Sequence, residues 1–238
     1  NTHHYGIQQA YGMVLDTWNG FCAPRDFLSK YQYGLDRRGP CDSIKGTKAC
    51  DGWGWFLGPI YAKDGQTLLK MTDKGNIDAK ITSVVTSLDK ATHNDGARLL
   101  KYEIDKSGTY KYCENDFVLM RYADVLYMQY EAALRAGLDE VCNKLLADSE
   151  FQRIRTRAGV APYASLDLDE LLDERGREFA WEMLRRRDLI RYNRYAKGAW
   201  DYKEASEDNH HDWFPIPRKM IETSGGLWIQ NPGYDTDK

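Results

Sequence analysis

From Asp116 the side chains fall into a helical rhythm that one helix pair cannot satisfy alone. Phe117, Met120, Arg121, Asp124, Val125, Met128 and Ala132 recur at short, helix-like steps, a spacing that gathers side chains on one face of a helix. Gly137 is placed to stop that helix, because glycine takes the left-handed conformation that ends helices at little cost. Asp139 is placed to cap a second helix through Val141, Leu145 and Leu146 and, after a break, Phe151 and Ile154, with Gly159 and Pro162 ending it. Two helices joined by a short turn form an α-hairpin of the size used in helical repeats. The sequence holds no second copy of it. A repeat needs neighbours over its open face, so the cover must come from other segments here or from sequence beyond these residues.

A third helix is expected from Ser165 or Asp167, carrying Leu168, Leu171, Leu172, Phe179, Met183 and Leu184 on one face. The other face is charged, and Glu178 and Glu182 have arginines at helical spacing, so a solvated face laced with weak ion pairs is expected. The tail differs. In Trp213-Phe214-Pro215-Ile216-Pro217 each proline drives its predecessor out of the helical region, which gives an extended strap. Asn231-Pro232-Gly233-Tyr234 has the residues of a tight turn. Upstream, residues 1–65 are aromatic and broken by Gly39-Pro40, Gly52, Gly54 and Gly58-Pro59, which predicts short helices and long loops. Short strands are expected in 80–88 and 99–104.

Charge and motif content narrow the chemistry. Lys plus Arg is 33 and Asp plus Glu is 36, a net charge of −3. Nothing there favours nucleic acid, and Arg185-Arg186-Arg187 sits beside Asp188, Glu178 and Glu182, which points to internal ion pairing. Pairs such as Asp16 and Asp51 have no spacing that singles them out for glycoside hydrolysis. His210-His211-Asp212 offers adjacent histidines, which are expected to point apart rather than share a metal. No nucleotide loop and no Ser or Cys nucleophile motif occurs. No enzyme, metal or cofactor is expected. Of the five cysteines, Cys41 and Cys50 flank a turn-rich loop and either form a local disulfide or stay free, while Cys142 is expected in a helix core. The start, Asn1-Thr2-His3-His4-Tyr5, has neither the basic nor the apolar segment of a signal peptide. It reads as cytosolic, mature or fragmentary.

Several segments, taken in order, resemble the C-terminal part of the SusD/RagB family of nutrient-binding lipoproteins of Bacteroidetes. They are Pro24-Arg25-Asp26-Phe27-Leu28 leading to Asp36-Arg37-Arg38, then Leu119 to Met128 with Glu131-Ala132, then Arg155-Thr156-Arg157-Ala158-Gly159-Val160. Glu174-Arg175-Gly176-Arg177-Glu178-Phe179-Ala180-Trp181 and Arg187-Asp188-Leu189-Ile190-Arg191 follow, then Phe214-Pro215-Ile216-Pro217 and Gln230-Asn231-Pro232-Gly233-Tyr234. The family more often has Ala-Glu-Ala where this chain has Tyr130-Glu131-Ala132. The resemblance implies a mainly α fold with TPR-like helix hairpins, long irregular loops and few short strands. Residues 1–115 would form a loop-rich, ligand-facing part and 116–238 a helical part with the C-terminal strap. The family's N-terminal TPR-like half and its lipid-bearing cysteine have no counterpart here, which implies a piece of a longer protein. Binding rather than catalysis is implied: an oligosaccharide held at the outer-membrane surface through a lipid anchor, for a SusC-like TonB-dependent transporter. A peptide-binding RagB-type role or a protein-interaction module is the alternative.

Sugar rings pack their C–H faces on flat aromatics while polar groups meet their hydroxyls. Asp51, Trp53 and Trp55 in Asp51-Gly52-Trp53-Gly54-Trp55 suit that best, because the glycines leave an indole little covered. The two tryptophans either project in this way or pack in the core. Tyr11, Trp18 and Asn19 come next. Trp181 and Trp213, inside segments shared with the family, are expected in the core.

Overall fold

The structure, a computed structural model, describes residues 21–41, 44–45, 54–71, 76–102 and 115–234. The chain divides into two compact units, Asn1–Glu182 and Met183–Lys238. In the first unit, helix α1 (Arg25–Leu28) is followed by β1 (Pro40–Cys41), β2 (Ile44–Lys45), β3 (Gly54–Phe56), β4 (Gly58–Tyr61), β5 (Lys70–Met71), β6 (Ile77–Asp78), β7 (Lys80–Ile81) and β8 (Arg98–Leu100). Then come α2 (Tyr122–Arg135), α3 (Asp139–Leu146), α4 (Ser149–Thr156) and α5 (Leu168–Glu178). The second unit holds α6 (Arg185–Arg191), a short 3₁₀ turn at His210–Asp212, and α7 (Arg218–Thr223). The fold is mainly α with a few short strands, as the sequence predicts.

The strands form small sheets. In one, β3 lies between β1, its parallel partner, and β8, its antiparallel one, with Trp55 opposite Leu99. The expected strands at 80–88 and 99–104 contract to β7 and β8. Gly54 opens β3 with φ of 96°, and a Cβ there would lie 2.7 Å from the Arg37 carbonyl oxygen. Only glycine fits that crossing.

The hairpin is α2 with α3 and α4, and α2 also packs on α5. Its helix starts later than expected, at Tyr122, and Phe117, Leu119 and Met120 are exposed ahead of it. Ala123, Leu126, Tyr127, Tyr130 and Ala133 form its buried face, whereas of the residues the sequence groups on one face of this helix Asp124 is buried and Val125, Met128 and Ala132 are exposed. Phe151 of α4 packs edge-on against Tyr127 at 5.6 Å and tilted against Tyr130 at 5.3 Å. Gly137 ends α2 at φ of 68°. Asp139 is the first residue of α3 rather than its cap, while Asp148 caps α4 by accepting from the Glu150 and Phe151 amides. Asp167 is the cap of α5, accepting from the Glu170 amide at 2.8 Å. Cys142 is buried as expected; Cys50 lies outside the described residues.

Helix α5 corrects the sequence reading twice. It ends at Glu178 instead of running to Leu184. Its charged face is not solvated: Glu174, Arg175, Arg177, Glu178 and the following Glu182 are all buried. Trp181 sits in the turn after the helix at φ of 70°, a conformation strained for a bulky side chain. The turn closes with the Glu182 amide on the Phe179 carbonyl at 3.0 Å.

In the second unit the strap is held by side-chain amides. Ile216 is the only residue of 215–217 with an N–H to give, since both neighbours are proline. That N–H donates to Gln230 Oε1 at 2.8 Å, and Gln230 Nε2 donates to the Ile216 carbonyl at 2.9 Å. Asn231 Nδ2 donates to the Phe214 carbonyl and the Tyr234 hydroxyl to the Trp213 carbonyl. Gly233, at φ of 85°, passes so close to His210 that a Cβ would lie 2.4 Å from its Cβ. The two histidine rings lie tilted against each other, centroids 3.7 Å apart, instead of diverging. The Arg186 guanidinium lies 4.2 Å from the Phe214 ring centre and donates to the His211 carbonyl, while Arg187 and Arg191 pair with buried Asp188. Trp213, expected in the core, is 66% exposed. Gln230→Ala should therefore free the Ile216 amide, raising its hydrogen-exchange rate by about tenfold for a lost bond pair worth about 1–2 kcal/mol. An unchanged rate would show that the strap is held by other means.

Candidate functional site

The first unit encloses a cavity of about 220 Å³, bounded by β3, β8, the segment before α2, the turn after α4 and the C-terminal end of α5. Leu99, Val118, Ala158 and Ala180 supply its apolar wall, and Arg37, Arg38, Lys101, Arg121, Arg157 and Arg177 its cations. Glu178 and Glu182 are the carboxylates at its surface.

Behind that surface lies a buried ion network built on α5. Glu174 is fully buried and receives Arg38 Nη1 at 2.9 Å, Arg155 Nη1 at 3.0 Å, Arg177 Nε at 2.9 Å and the Tyr127 hydroxyl at 3.0 Å. Glu178 accepts from Arg38 at 3.0 Å and Arg121 at 2.7 Å, and pairs with Arg157. Arg121 grips Glu182 through both Nε and Nη2, each at 2.9 Å, the two-pronged geometry that suits guanidinium to carboxylate. Arg38 also clasps Asp36, and Arg177 also pairs with Glu170. One layer away, Arg175, with no exposed surface, donates to Asp124 of α2 at 2.7 Å. Lys101 donates to the Glu178 and Ala180 carbonyls at 2.6 and 2.9 Å, capping the end of α5, and meets Glu182 at 2.5 Å.

Burial alone would favour the neutral acid at Glu174, but Arg38, Arg177 and Arg155 outweigh it and hold the carboxyl down to about 2. Glu178 is likewise lowered, its burial overcome by Arg121, Arg157 and Arg38. Burial lowers the Lys101 ammonium, with Glu182 pulling the other way. Burial raises the Tyr102 phenol, and Glu182 adds to it.

Of the residues singled out for sugar contact, only Trp55 is described. It is 3% exposed, its indole N–H donates to the Tyr31 hydroxyl at 3.1 Å, and its ring meets Phe27 at 6.0 Å and Trp181 at 6.1 Å edge-on. Trp55 is therefore a core residue and offers no open face, because Phe27, Tyr31 and Trp181 cover it. The edge-to-face series continues to Phe21, 5.3 Å from Trp181 and 55% exposed. Tyr11, Trp18, Asn19, Asp51 and Trp53 lie outside the described residues. The sequence reading missed the cavity cations Arg37, Lys101, Arg121 and Arg157. The signal was present in Arg37, Arg121 and Arg157 as parts of the motif segments, read as markers of family and not as a lining.

Among the described residues no group of three or more His, Cys, Asp or Glu is placed to hold a metal ion, and no helix is long and apolar enough to cross a membrane.

A model of the SusD family matches residues 5–234. The starch-binding protein SusD of Bacteroides thetaiotaomicron is 30% identical over 131 residues, which is 52% of this chain and 22% of that protein. Surface glycan-binding protein A of Bacteroides uniformis superimposes with a TM-score of 0.56 at 22% identity, over 91% of this chain and 42% of that one. The matches thus span less than half the length of these relatives.

Proposed function

Because this chain belongs to the SusD family, we propose that it helps hold an oligosaccharide at the cell surface for import by a SusC-like TonB-dependent transporter, as a binding protein and not an enzyme. The observation that carries this reading is the family match along residues 5–234, together with starch binding in the name of a 30% identical relative. Attachment through a lipid anchor, with further chain supplying part of the platform, belongs to the same proposal.

The physical support comes from how β3 is held. Trp55 is locked among Phe27, Tyr31 and Trp181, and Gly54 is wedged on the Arg37 carbonyl. Trp53 precedes Gly54 in the sequence. A binding side chain tied to rigid structure loses less freedom when ligand arrives. Asp51 is close by in sequence to meet hydroxyls, and Tyr11, Trp18 and Asn19 remain proposed contacts with it.

Isothermal titration of the protein against a panel of plant, host and storage oligosaccharides tests the reading. Saturable binding in the micromolar to millimolar range, about −8 to −4 kcal/mol, is expected for at least one glycan, weak enough for a transporter to take the sugar onward. Binding to extended peptides with none to any glycan would replace it with the RagB-type alternative.

A further inference from the structure

The cavity in the first unit has more positive charge than its own carboxylates use. Among the described residues, Arg37, Arg38, Lys101, Arg121, Arg157 and Arg177 at its lining, with Arg155 behind it, exceed the carboxylates they pair with, Asp36, Glu170, Glu174, Glu178 and Glu182, by two. Six of the seven cations are in those pairs. Arg37 lines the cavity, is exposed, and has no ion pair among the described residues. Arg157, whose side chain is 43% exposed, stands with it, since the Arg37 amide donates to the Ala158 carbonyl at 2.9 Å. Leu99 and Val118 also line the cavity.

We infer that this cavity seats the carboxylate of a sugar acid, so that the oligosaccharide proposed above is an acidic one carrying uronate residues. A carboxylate beside Arg37 and Arg157 would use the surplus charge in the planar geometry that guanidinium favours. The apolar wall would take the ring's C–H face. A simple inorganic anion uses the arginines but leaves the apolar wall without a role. The volume of about 220 Å³ also exceeds what a few waters need, at about 30 Å³ each in the liquid. The inference rests on the glycan reading and adds the class of sugar to it.

The test is calorimetry of the intact protein with an oligogalacturonide and with the neutral galactan of equal length. The acidic sugar should bind at least about tenfold more tightly, and added salt should weaken it while leaving the neutral one unchanged. Arg37→Glu should cost the acidic sugar about tenfold or more with no change in melting temperature, because the Arg37 side chain has no ion pair among the described residues. Arg37→Lys should restore part of the loss. Equal affinity for both sugars, or an oligogalacturonide indifferent to Arg37→Glu, would overturn the inference and leave the glycan reading standing. Failure of both sugars, with an acidic peptide bound instead, would overturn the two together.

Discussion

Replacing Glu174 by alanine is expected to destabilise the protein by about 3–5 kcal/mol, enough to unfold many domains of this size. The magnitude follows from what the change leaves behind. Glu174 has no exposed surface and neutralises Arg38, Arg155 and Arg177, which come from three different segments. Without it those guanidiniums keep their desolvation penalty and lose the charge that offsets it. Glu174→Gln keeps the shape and some hydrogen bonds but not the charge, so it should fall between the two. The same carboxyl sets an acid limit. Its folded pKa, about 2, lies below its ordinary value of 4.5. Its contribution is therefore complete above pH 4.5 and is lost as pH falls towards 2. Glu178 shifts in the same direction. Chemical denaturation followed by fluorescence at stepped pH should show stability dropping through that window, and a shallower drop in Glu174→Gln. A variant as stable as the parent would mean the network is peripheral.

Trp55→Ala is expected to cost a further class of energy, about 3–5 kcal/mol for a large aromatic removed from the core. The indole packs with Phe27 and Trp181 and holds the Tyr31 hydroxyl, which itself donates to the Arg177 carbonyl at the α5 end. The hole would therefore reach both β3 and the ion network. Trp55→Phe fills most of the space and loses one buried hydrogen bond, about 1 kcal/mol plus the smaller ring's packing. Thermal melts of the two variants should rank in that order. Equal, small losses would contradict the core position of Trp55.

Local signals were readable in the sequence. Gly137, Asp167 and the pair Phe151 and Ile154 of α4 act through neighbours a few positions away, and they form the stop, cap and packed face that their chemistry dictates, whereas the α2 spacing marked the solvent side, where Val125, Met128 and Ala132 are exposed. What stayed hidden depended on distant partners. The charged face of α5 looks like any solvated face until Arg38, 136 residues from Glu174, is brought against it. Spacing at Trp53-Gly54-Trp55 does not say whether an indole meets solvent or the core, and Trp55 is buried because Phe27, Tyr31 and Trp181 reach it. Proline fixed the extended strap of the second unit, while the exposure of Trp213 depends on what else reaches it. The cavity combines six separated segments, so none of its lining announces itself locally.

The central claim is that a sugar is held by aromatics tethered to this rigid interior. Its most direct test is titration of Trp53→Ala with a glycan already shown to bind the parent, paired with a melt of the same variant. Affinity should fall by about tenfold or more, the scale of a lost stacking face, with the melting temperature unmoved. Unchanged affinity in a fully folded variant would contradict it.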